Sequence, residues 1–221
     1  RALSIHDRKP EYHGRNVRLH RIFNRGSFAH GGRFYGGWWQ NIRKHARPMI
    51  TIDGQHTIEA DFRGFNPSVL LAEVGQPIPD DPYSSIVGAN APDGLREHAK
   101  ATLAALLNSK TGRTEEPKDF NSATYGMTAD DFRQRVLDAF PMVPGLWGTD
   151  KGMRLQRQES NLAEAIMLHF VRQGHAVLPI HDAFIVQAHL EDELVSVMKG
   201  AFKGMFGQMP HVKITRAYAL R

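Results

Sequence analysis

Cysteine is absent from the 221 residues of the chain. A disulfide framework, a thiolate metal site and a cysteine nucleophile are therefore excluded. The sequence also lacks an apolar run of about 18 residues, which a membrane-spanning helix would need. Its opening segment, RALSIHDRKP, lacks the apolar stretch of a signal peptide. We therefore expect a soluble, cytoplasmic protein with no membrane partner.

Two common catalytic motifs are also missing. Although the sequence contains twelve histidines, it has no HExxH motif and no cysteine to complete a zinc site. It has no GxxxxGK[ST] loop either, which argues against a P-loop ATPase.

Acidic residues are scarce at the start of the chain, although the net charge of the whole sequence is only +5. Residues 1–50 contain eleven Lys or Arg residues against Asp7 and Glu11. This density of positive charge favours a polyanionic partner, because each neutralised phosphate releases counterions. A solvated basic surface is the alternative interpretation. Because the segment begins without methionine, we expect that it continues from a preceding part of a longer protein.

A hydrophobic content of 41% indicates a buried core, in one substantial domain or two small ones. Two regions predict β-hairpins. Asp53-Gly54 is a type I′ turn pair between β-rich runs, and two short apolar strands flank His181-Asp182. The spacing of apolar residues over 1–27 is loosely helical. Helices are predicted over 93–108, 128–139, 154–173 and 190–206, and a last strand over 211–215. The helix over 128–139 has Thr128 as its N-cap and is ended by Pro141, Pro144 and Gly145. This order is typical of an α+β domain built on an antiparallel sheet.

Two aspartates occupy positions that could carry chemistry. Asp61 ends one predicted strand, and Asp182 lies at the tip of a distant hairpin. If those strands pair, the two carboxylates lie side by side and repel each other unless cations separate them. Such a pair suits two Mg²⁺ ions. Without further context, two carboxylates on surface turns are the alternative interpretation.

Four segments supply context: GGRFYGGWWQNI, EADFRGFNPSVLLAEVG, RLQRQESNLAEAIMLHFVRQGHAVLPIHDAFIV and PHVKI. In this order they resemble the signature blocks of family A DNA polymerases and single-subunit phage-type RNA polymerases, over about residues 28–215. Gly32-Arg33 resembles the block that contacts the primer–template, Asp61-Phe62 resembles the start of motif A, and His181-Asp182-Ala183 resembles motif C. After Asp61-Phe62 the sequence diverges from motif A to RGFNPS.

The resemblance implies a role for each matching residue. Asp61 and Asp182 would hold Mg²⁺, or Mn²⁺ in its place, with the Phe62 carbonyl as a further ligand. His181 would orient the primer end; a turn histidine satisfied by local hydrogen bonds is the alternative. Arg33 would hold a backbone phosphate through its planar guanidinium. Gln158, Glu159 and Asn161 belong to the helix that lines the minor groove in the family, and periodicity alone makes them its polar face.

Two positions in the middle of the chain concern the incoming nucleotide. Asn66 stands where the DNA enzymes carry a glutamate that blocks the sugar 2′-hydroxyl and the RNA enzymes carry glycine, so we expect weak discrimination between sugars. The triphosphate-binding motif B has two candidates. Arg96 and Lys100 lie at i and i+4 on a predicted helix. The alternative segment contains Arg113, Lys118 and Tyr125, but Pro117 interrupts it as a helix.

The resemblance therefore implies an antiparallel-sheet polymerase palm with a small helical fingers insertion. Its predicted segments are a basic segment with the Gly-Arg block (1–49), palm with motif A (50–90), reduced fingers (91–150) and palm with motif C (151–221). The expected activity is template-dependent addition of nucleoside triphosphates to the 3′-hydroxyl of a nucleic-acid primer. The alternatives are a DNA-dependent RNA polymerase or primase-like enzyme, a non-catalytic palm that binds nucleic acid, and a metal-dependent nuclease using Glu59 and Glu164 as added carboxylates.

Overall fold

The computed structural model describes residues 17–88, 90–143, 146–149 and 151–216, and the backbone of residues 3–5. The chain divides into two compact units. Unit 1 comprises Arg1–Phe62 and Gln156–Arg221, and unit 2 comprises Arg63–Leu155. The predicted assignment of segments to palm and fingers stays a prediction. No helix among the described residues is both long and apolar enough to cross a membrane.

Unit 1 contains all of the described strands. They are β1 Leu3–Ile5, β2 His20–Phe23, β3 Gly31–Tyr35, β4 Ile50–Ile52, β5 Gln55–Phe62, β6 Leu178–Ile180, β7 Ala183–Gln187 and β8 Val212–Arg216. Six of them form one antiparallel sheet in the order β1-β4-β5-β7-β6, with β8 paired to β5. β7 and β8 lie on opposite edges of β5, because both pair with the same stretch of that strand. The predicted α+β class with an antiparallel sheet is confirmed.

Both predicted hairpins of this sheet are present. In the β4–β5 turn, Asp53 and Gly54 have φ angles of 53° and 77°, and Ile52 pairs with Gln55. Positive φ at both turn residues is the type I′ geometry that the Asp-Gly pair favours. In the second hairpin, β6 and β7 are joined by His181-Asp182, and Ile180 pairs with Ala183.

The predicted helical spacing over residues 1–27 is wrong for the residues that the structure describes. His20–Phe23 is a strand that pairs with β3 in a two-stranded ribbon, and Leu3–Ile5 pairs with β4. Isoleucine and phenylalanine fit a pleated ribbon at least as well as a helix, so the neighbouring strand decides the conformation. Residues 6–16, with several of the predicted basic side chains, lie outside the described residues.

Two long helices complete unit 1. Helix α6, Lys151–Arg172, begins in unit 2 and continues in unit 1, and α7 is Glu191–Phe206. Both predicted helices are thus present, with ends shifted by at most three residues. Helix α7 covers the buried face of the sheet, where the rings of Phe62 and Phe202 lie 5.6 Å apart.

Unit 2 is helical in its described part. It contains α1 Phe65–Glu73, α2 Pro82–Val87, α3 Leu95–Asn108, α4 Ser122–Tyr125 and α5 Ala129–Asp138. The predicted cap of α5 is confirmed: the Thr128 hydroxyl accepts from the Asp131 amide, and the Asp131 carboxylate accepts from Thr128. α5 ends before the predicted Pro141, and Pro144 and Gly145 lie outside the described residues. α1 and α2 were not predicted.

Candidate functional site

The strand pairing that would bring Asp61 and Asp182 together is present in unit 1. β5 and β7 run antiparallel with Asp61 opposite Ala183. The Phe62 amide donates to the Asp182 carbonyl over 3.4 Å. Asp182 is therefore the residue that directly precedes the cross-strand partner of Asp61. The two aspartates, 121 positions apart in the sequence, occupy neighbouring positions at one end of the sheet.

The two edges of β5 give Asp61 neighbours of different charge. On the β8 side, Asp61 lies directly opposite Lys213. Directly opposed residues of an antiparallel pair project from the same face of the sheet, and unlike charges there attract. Sequence alone does not connect Lys213 with Asp61, because their proximity depends on the register of β8. Any cation bound by Asp61 would share this neighbourhood with an exposed ammonium group.

Glu59 and Glu164, which would be the additional metal ligands of a nuclease, both form ion pairs with arginines. Side chains alternate along β5, so Glu59 and Asp61 project from the half-exposed face while Ala60 projects into the core. The Arg47 guanidinium lies 3.4 Å from the Glu59 carboxylate. Glu164, on α6, accepts a hydrogen bond of 2.9 Å from Arg21. These ion pairs neutralise both groups, which makes them poor candidates for additional metal ligands.

His181 forms the β6–β7 turn with a φ angle of 58°, in the left-handed region. Its ring contacts the edge of Tyr35, with 5.7 Å between centroids. Within the described part of the chain, its buried Nδ1 atom has no hydrogen-bond partner. Burial lowers the pKa of His181 to about 4, and the charges of Arg33 and Arg47 act in the same direction. The imidazole is therefore neutral at physiological pH.

Arg33, the predicted phosphate ligand, forms a bidentate pair with Glu159 of α6. Its Nε and Nη2 atoms donate to the two carboxylate oxygens over 2.7 and 2.5 Å. Burial raises the pKa of Glu159 to about 7, and the hydrogen bonds from Arg33 oppose this shift while nearby Asp182 adds to it. Burial alone would lower the pKa of Arg33, but its pairing with Glu159 reverses the direction and raises it. The guanidinium therefore remains charged.

The predicted polar face of α6 is partly wrong. Glu159 is only 3% exposed and Ser160 is buried as well, because the β2–β3 ribbon covers this side of the helix. Arg21 of the ribbon donates to Ser160, Asn161 and Glu164, and also to the Gly32 carbonyl. Arg21 and Arg33 together attach the ribbon to α6.

Gln40, near the end of the segment GGRFYGGWWQNI, has a structural role. Its side-chain amide donates to the carbonyls of Phe34 and Pro179, at 2.9 and 3.1 Å. The buried Trp39 indole donates to the same Pro179 carbonyl over 3.0 Å. These bonds connect the segment after β3 to β6, next to the turn that carries His181.

Unit 2 contains both candidates for motif B. Arg96 and Lys100 lie one turn apart on α3, as predicted. Arg96 pairs with Asp81 through two hydrogen bonds and lies over the Tyr83 ring, whereas Lys100 is exposed. Tyr125 of the alternative segment packs against His98, with 5.4 Å between ring centroids. The two candidates therefore meet near the start of α3.

The pair of Asp81 and Arg96 predicts an acid-sensitive contribution to stability. Burial alone would raise the pKa of Asp81, but hydrogen bonds from Arg96 and Ser84 outweigh it and lower the pKa to about 2. An unfolded aspartate titrates near pH 3.9, so this contribution is complete above about pH 4 and is lost as the pH falls towards 2. We expect Asp81→Asn, which keeps an N-cap side chain, to lower the free energy of unfolding by about 1 kcal/mol at pH 7, a value reduced because solvent screens the pair.

Urea unfolding at pH 7 and at pH 2.5 measures this effect. The difference between Asp81→Asn and the wild type is expected to shrink at the lower pH. An equal difference at both pH values would show that the aspartate charge contributes nothing.

The donor chemistry around Asp61 and Asp182 fits magnesium. Mg²⁺ is commonly held in polymerase-type sites by one or two carboxylates, with waters and substrate phosphates completing its shell. Among the residues that the structure describes, no group of three or more His, Cys, Asp or Glu side chains is placed to hold a metal ion. Asp61 and Asp182, at neighbouring backbone positions, supply two carboxylates, so a magnesium ion held there would need further oxygen ligands.

No protein-family model matches the sequence, and no curated protein is similar to it at a significant level. Among solved structures, the chain is similar in fold to the POL domain of Pol1 from M. smegmatis, which was solved in complex with DNA primer-template and dNTP. The TM-score is 0.50 and the sequence identity is 13%. The match covers 89% of this chain and 46% of that chain. The chain therefore has a polymerase-like fold and spans about half the length of the structure it matches.

Proposed function

We propose that this chain is the catalytic part of a template-dependent nucleic-acid polymerase that adds nucleotides to a 3′-hydroxyl end. One observation carries the proposal: the pairing of β5 with β7 puts Asp61 and Asp182 at neighbouring positions. In a polymerase-like fold, two such carboxylates have the ligand chemistry that nucleotidyl transfer needs. The carboxylates of Asp61 and Asp182, with the carbonyl of Phe62, would hold Mg²⁺ or Mn²⁺.

The bound metal would supply Lewis acidity at the attacking hydroxyl and at the triphosphate. The protein's own groups around it would position the substrates. The neutral ring of His181 next to Asp182 would make a hydrogen bond to the primer end without adding a positive charge. The ring stands on a two-residue turn that is closed by the pairing of Ile180 with Ala183, which would limit its movement.

Arg33 would bind a primer or template phosphate with the part of its guanidinium that Glu159 leaves available. Nε and Nη2 donate to Glu159, whereas Nη1 donates no hydrogen bond to another described residue. Pairing fixes the plane of the guanidinium, so less side-chain entropy is lost when the phosphate binds. Glu159 would thus be a positioning residue for Arg33.

Unit 2 would bind the incoming nucleotide. Lys100 is the stronger of the two α3 candidates for a triphosphate ligand, because Arg96 is already engaged by Asp81. Arg113, Lys118 and Tyr125 form the alternative set. Asn66, the second residue of α1 and half-exposed, would influence the choice between ribose and deoxyribose.

A non-catalytic palm that binds nucleic acid is the second candidate function. The specific observation in its favour is Lys213, whose ammonium group could neutralise Asp61 in place of a metal ion. The divergence from motif A after Phe62 points in the same direction.

A labelled primer annealed to a longer template distinguishes the two functions. We expect the full chain to extend the primer with deoxyribonucleotides or ribonucleotides when Mg²⁺ or Mn²⁺ is present, and not in EDTA. Binding of the same primer–template in EDTA, followed by gel shift, measures affinity without chemistry. Binding without extension in either metal and with either type of nucleotide would reject the polymerase and favour the binding module.

A further inference from the structure

The loop that joins β2 to β3 has a defined conformation. Within it, the Asn24 amide donates to the His30 carbonyl over 3.0 Å, and the Ser27 amide donates to the Asn24 carbonyl over 3.2 Å. Arg25 and Gly26 both adopt positive φ angles, 56° and 61°, which turn the chain sharply at the tip. The loop is therefore organised before any partner binds, which reduces the entropic cost of binding.

Phe28 projects from this loop into solvent. At 77% exposure it is the most exposed of the large hydrophobic side chains among the described residues. Its ring forms a T-shaped pair with the Phe23 ring, with 4.8 Å between centroids and 78° between planes. Truncating a phenylalanine that contributes so little to the core would cost the protein little stability, so packing does not explain why it stands at this position.

Two arginine side chains lie next to the Phe23 ring. The guanidinium carbons of Arg21 and Arg157 lie 5.2 and 5.1 Å from the centre of the Phe23 ring. Within the described part of the chain, the buried Nη1 atom of Arg157 has no hydrogen-bond partner. The exposed Phe28 ring of the loop thus lies beside Phe23, whose ring is flanked by guanidinium groups from β2 and α6.

The charged residues in the sequence around the loop are all basic. No aspartate or glutamate occurs between Tyr12 and Ile52. The described part of this stretch contains Arg18, Arg21, Arg25, Arg33, Arg43, Lys44 and Arg47. Arg21, Arg33 and Arg47 pair with Glu164, Glu159 and Glu59 of other elements. The stretch nevertheless carries an excess of positive charge, which fits a polyphosphate chain.

We propose that the β2–β3 loop binds single-stranded nucleic acid, with the Phe28 ring stacked on an unpaired base and the basic residues around it along the phosphates. The inference rests on the nucleic-acid partner of the proposed function and adds a contact distinct from the aspartate site. Single strands fit better than duplexes, because the faces of their bases are accessible to a ring. The contact is sequence-tolerant, because every base has a stacking face.

Fluorescence anisotropy in EDTA tests the proposal on the full chain with three labelled probes of equal length. They are a mixed-base single strand, a single strand in which the bases are replaced by abasic sites, and a blunt duplex. We expect Phe28→Ala to weaken binding of the mixed-base strand about 5- to 150-fold, the range for loss of one stacked base. Binding of the abasic strand and the duplex is expected to change less than about twofold, since the phosphate contacts remain.

Two variants control for the chemistry of the ring and for the loss of an exposed apolar group. Phe28→Trp keeps a stacking ring and is expected to bind the mixed-base strand as well as the wild type does. Val171→Ala removes another exposed apolar side chain of unit 1, 61% exposed, and is expected to have no effect. An unchanged affinity of Phe28→Ala, an equal loss on the abasic strand, or a loss confined to the duplex would each overturn the proposal.

The measurement is independent of catalysis, so the two proposals fail separately. If the wild type extends no primer but Phe28→Ala loses affinity for the mixed-base strand, the polymerase proposal fails and the stacking contact stands. If primer extension is observed but Phe28→Ala binds like the wild type, the stacking contact fails and the polymerase proposal stands.

Discussion

Asp61→Asn and Asp182→Asn are each expected to reduce metal-dependent primer extension on the order of a thousandfold. The estimate follows because a metal site supplies several kcal/mol of transition-state stabilisation, and each 1.4 kcal/mol is a factor of ten in rate. Asparagine has almost the shape of aspartate, so β5 and the β6–β7 turn should keep their pairing. Affinity for primer–template in EDTA is expected to stay within about twofold, because basic groups supply most of that energy.

Asp53→Asn is the matched control for this result. It removes one negative charge from the same sheet, in the β4–β5 turn, where asparagine is well tolerated at positive φ. We expect it to extend primers at the wild-type rate. Extension by Asp61→Asn or Asp182→Asn at more than a tenth of the wild-type rate would contradict the assignment of these carboxylates.

Glu159→Gln is expected to cost about 2–4 kcal/mol of unfolding free energy, the largest stability effect among the ion pairs of unit 1. The substitution leaves the Arg33 guanidinium half-buried against a neutral amide, and a charge that loses its partner in the interior is costly. Urea unfolding at a pH above the raised pKa of Glu159, at about pH 8, measures the loss with the wild-type carboxylate ionised. Glu164→Gln is the matched control, because Glu164 also pairs with an arginine of the ribbon but is 47% exposed. We expect that variant to lose less than about 1 kcal/mol.

The double variant Arg33→Met/Glu159→Leu separates loss of the pair from loss of one partner. Replacing both charges with apolar groups of similar size is expected to recover most of the stability lost in Glu159→Gln, because no unpaired charge remains. Equal losses in Glu159→Gln and Glu164→Gln, or no recovery in the double variant, would show that the Arg33–Glu159 pair has no special weight in attaching the ribbon to α6.

The sheet hairpins could be predicted because their signals are local. Asp53-Gly54 specifies its turn within two residues, and the apolar strands around His181-Asp182 are short and continuous. The placement of Asp61 at the end of a strand followed from the same pattern. The pairing of β5 with β7 could not be predicted, because strands that are distant in the chain carry no local signal that identifies their partner.

The neighbours of the candidate site could not be predicted for the same physical reason. Arg33 and Glu159 are separated by 126 positions, and a helix with glutamate on its polar stripe looks solvated until another element covers it. Lys213 becomes a neighbour of Asp61 only through the register of β8. Helix α1 was missed because Asn66-Pro67 resembles a turn, although proline is tolerated in the first turn of a helix.

Strand β5 is bonded to other strands along both edges, with β7 on one side and β8 on the other. Because side chains alternate, adding or removing one residue between Gly54 and Asp61 would turn Asp61 towards α7 and bring Ala60 or Phe62 to the half-exposed face. A single substitution in this stretch leaves the strand register unchanged, but a change in its length shifts the register. The spacing of seven positions from Gly54 to Asp61 should therefore drift less during divergence than the identities of the residues within it.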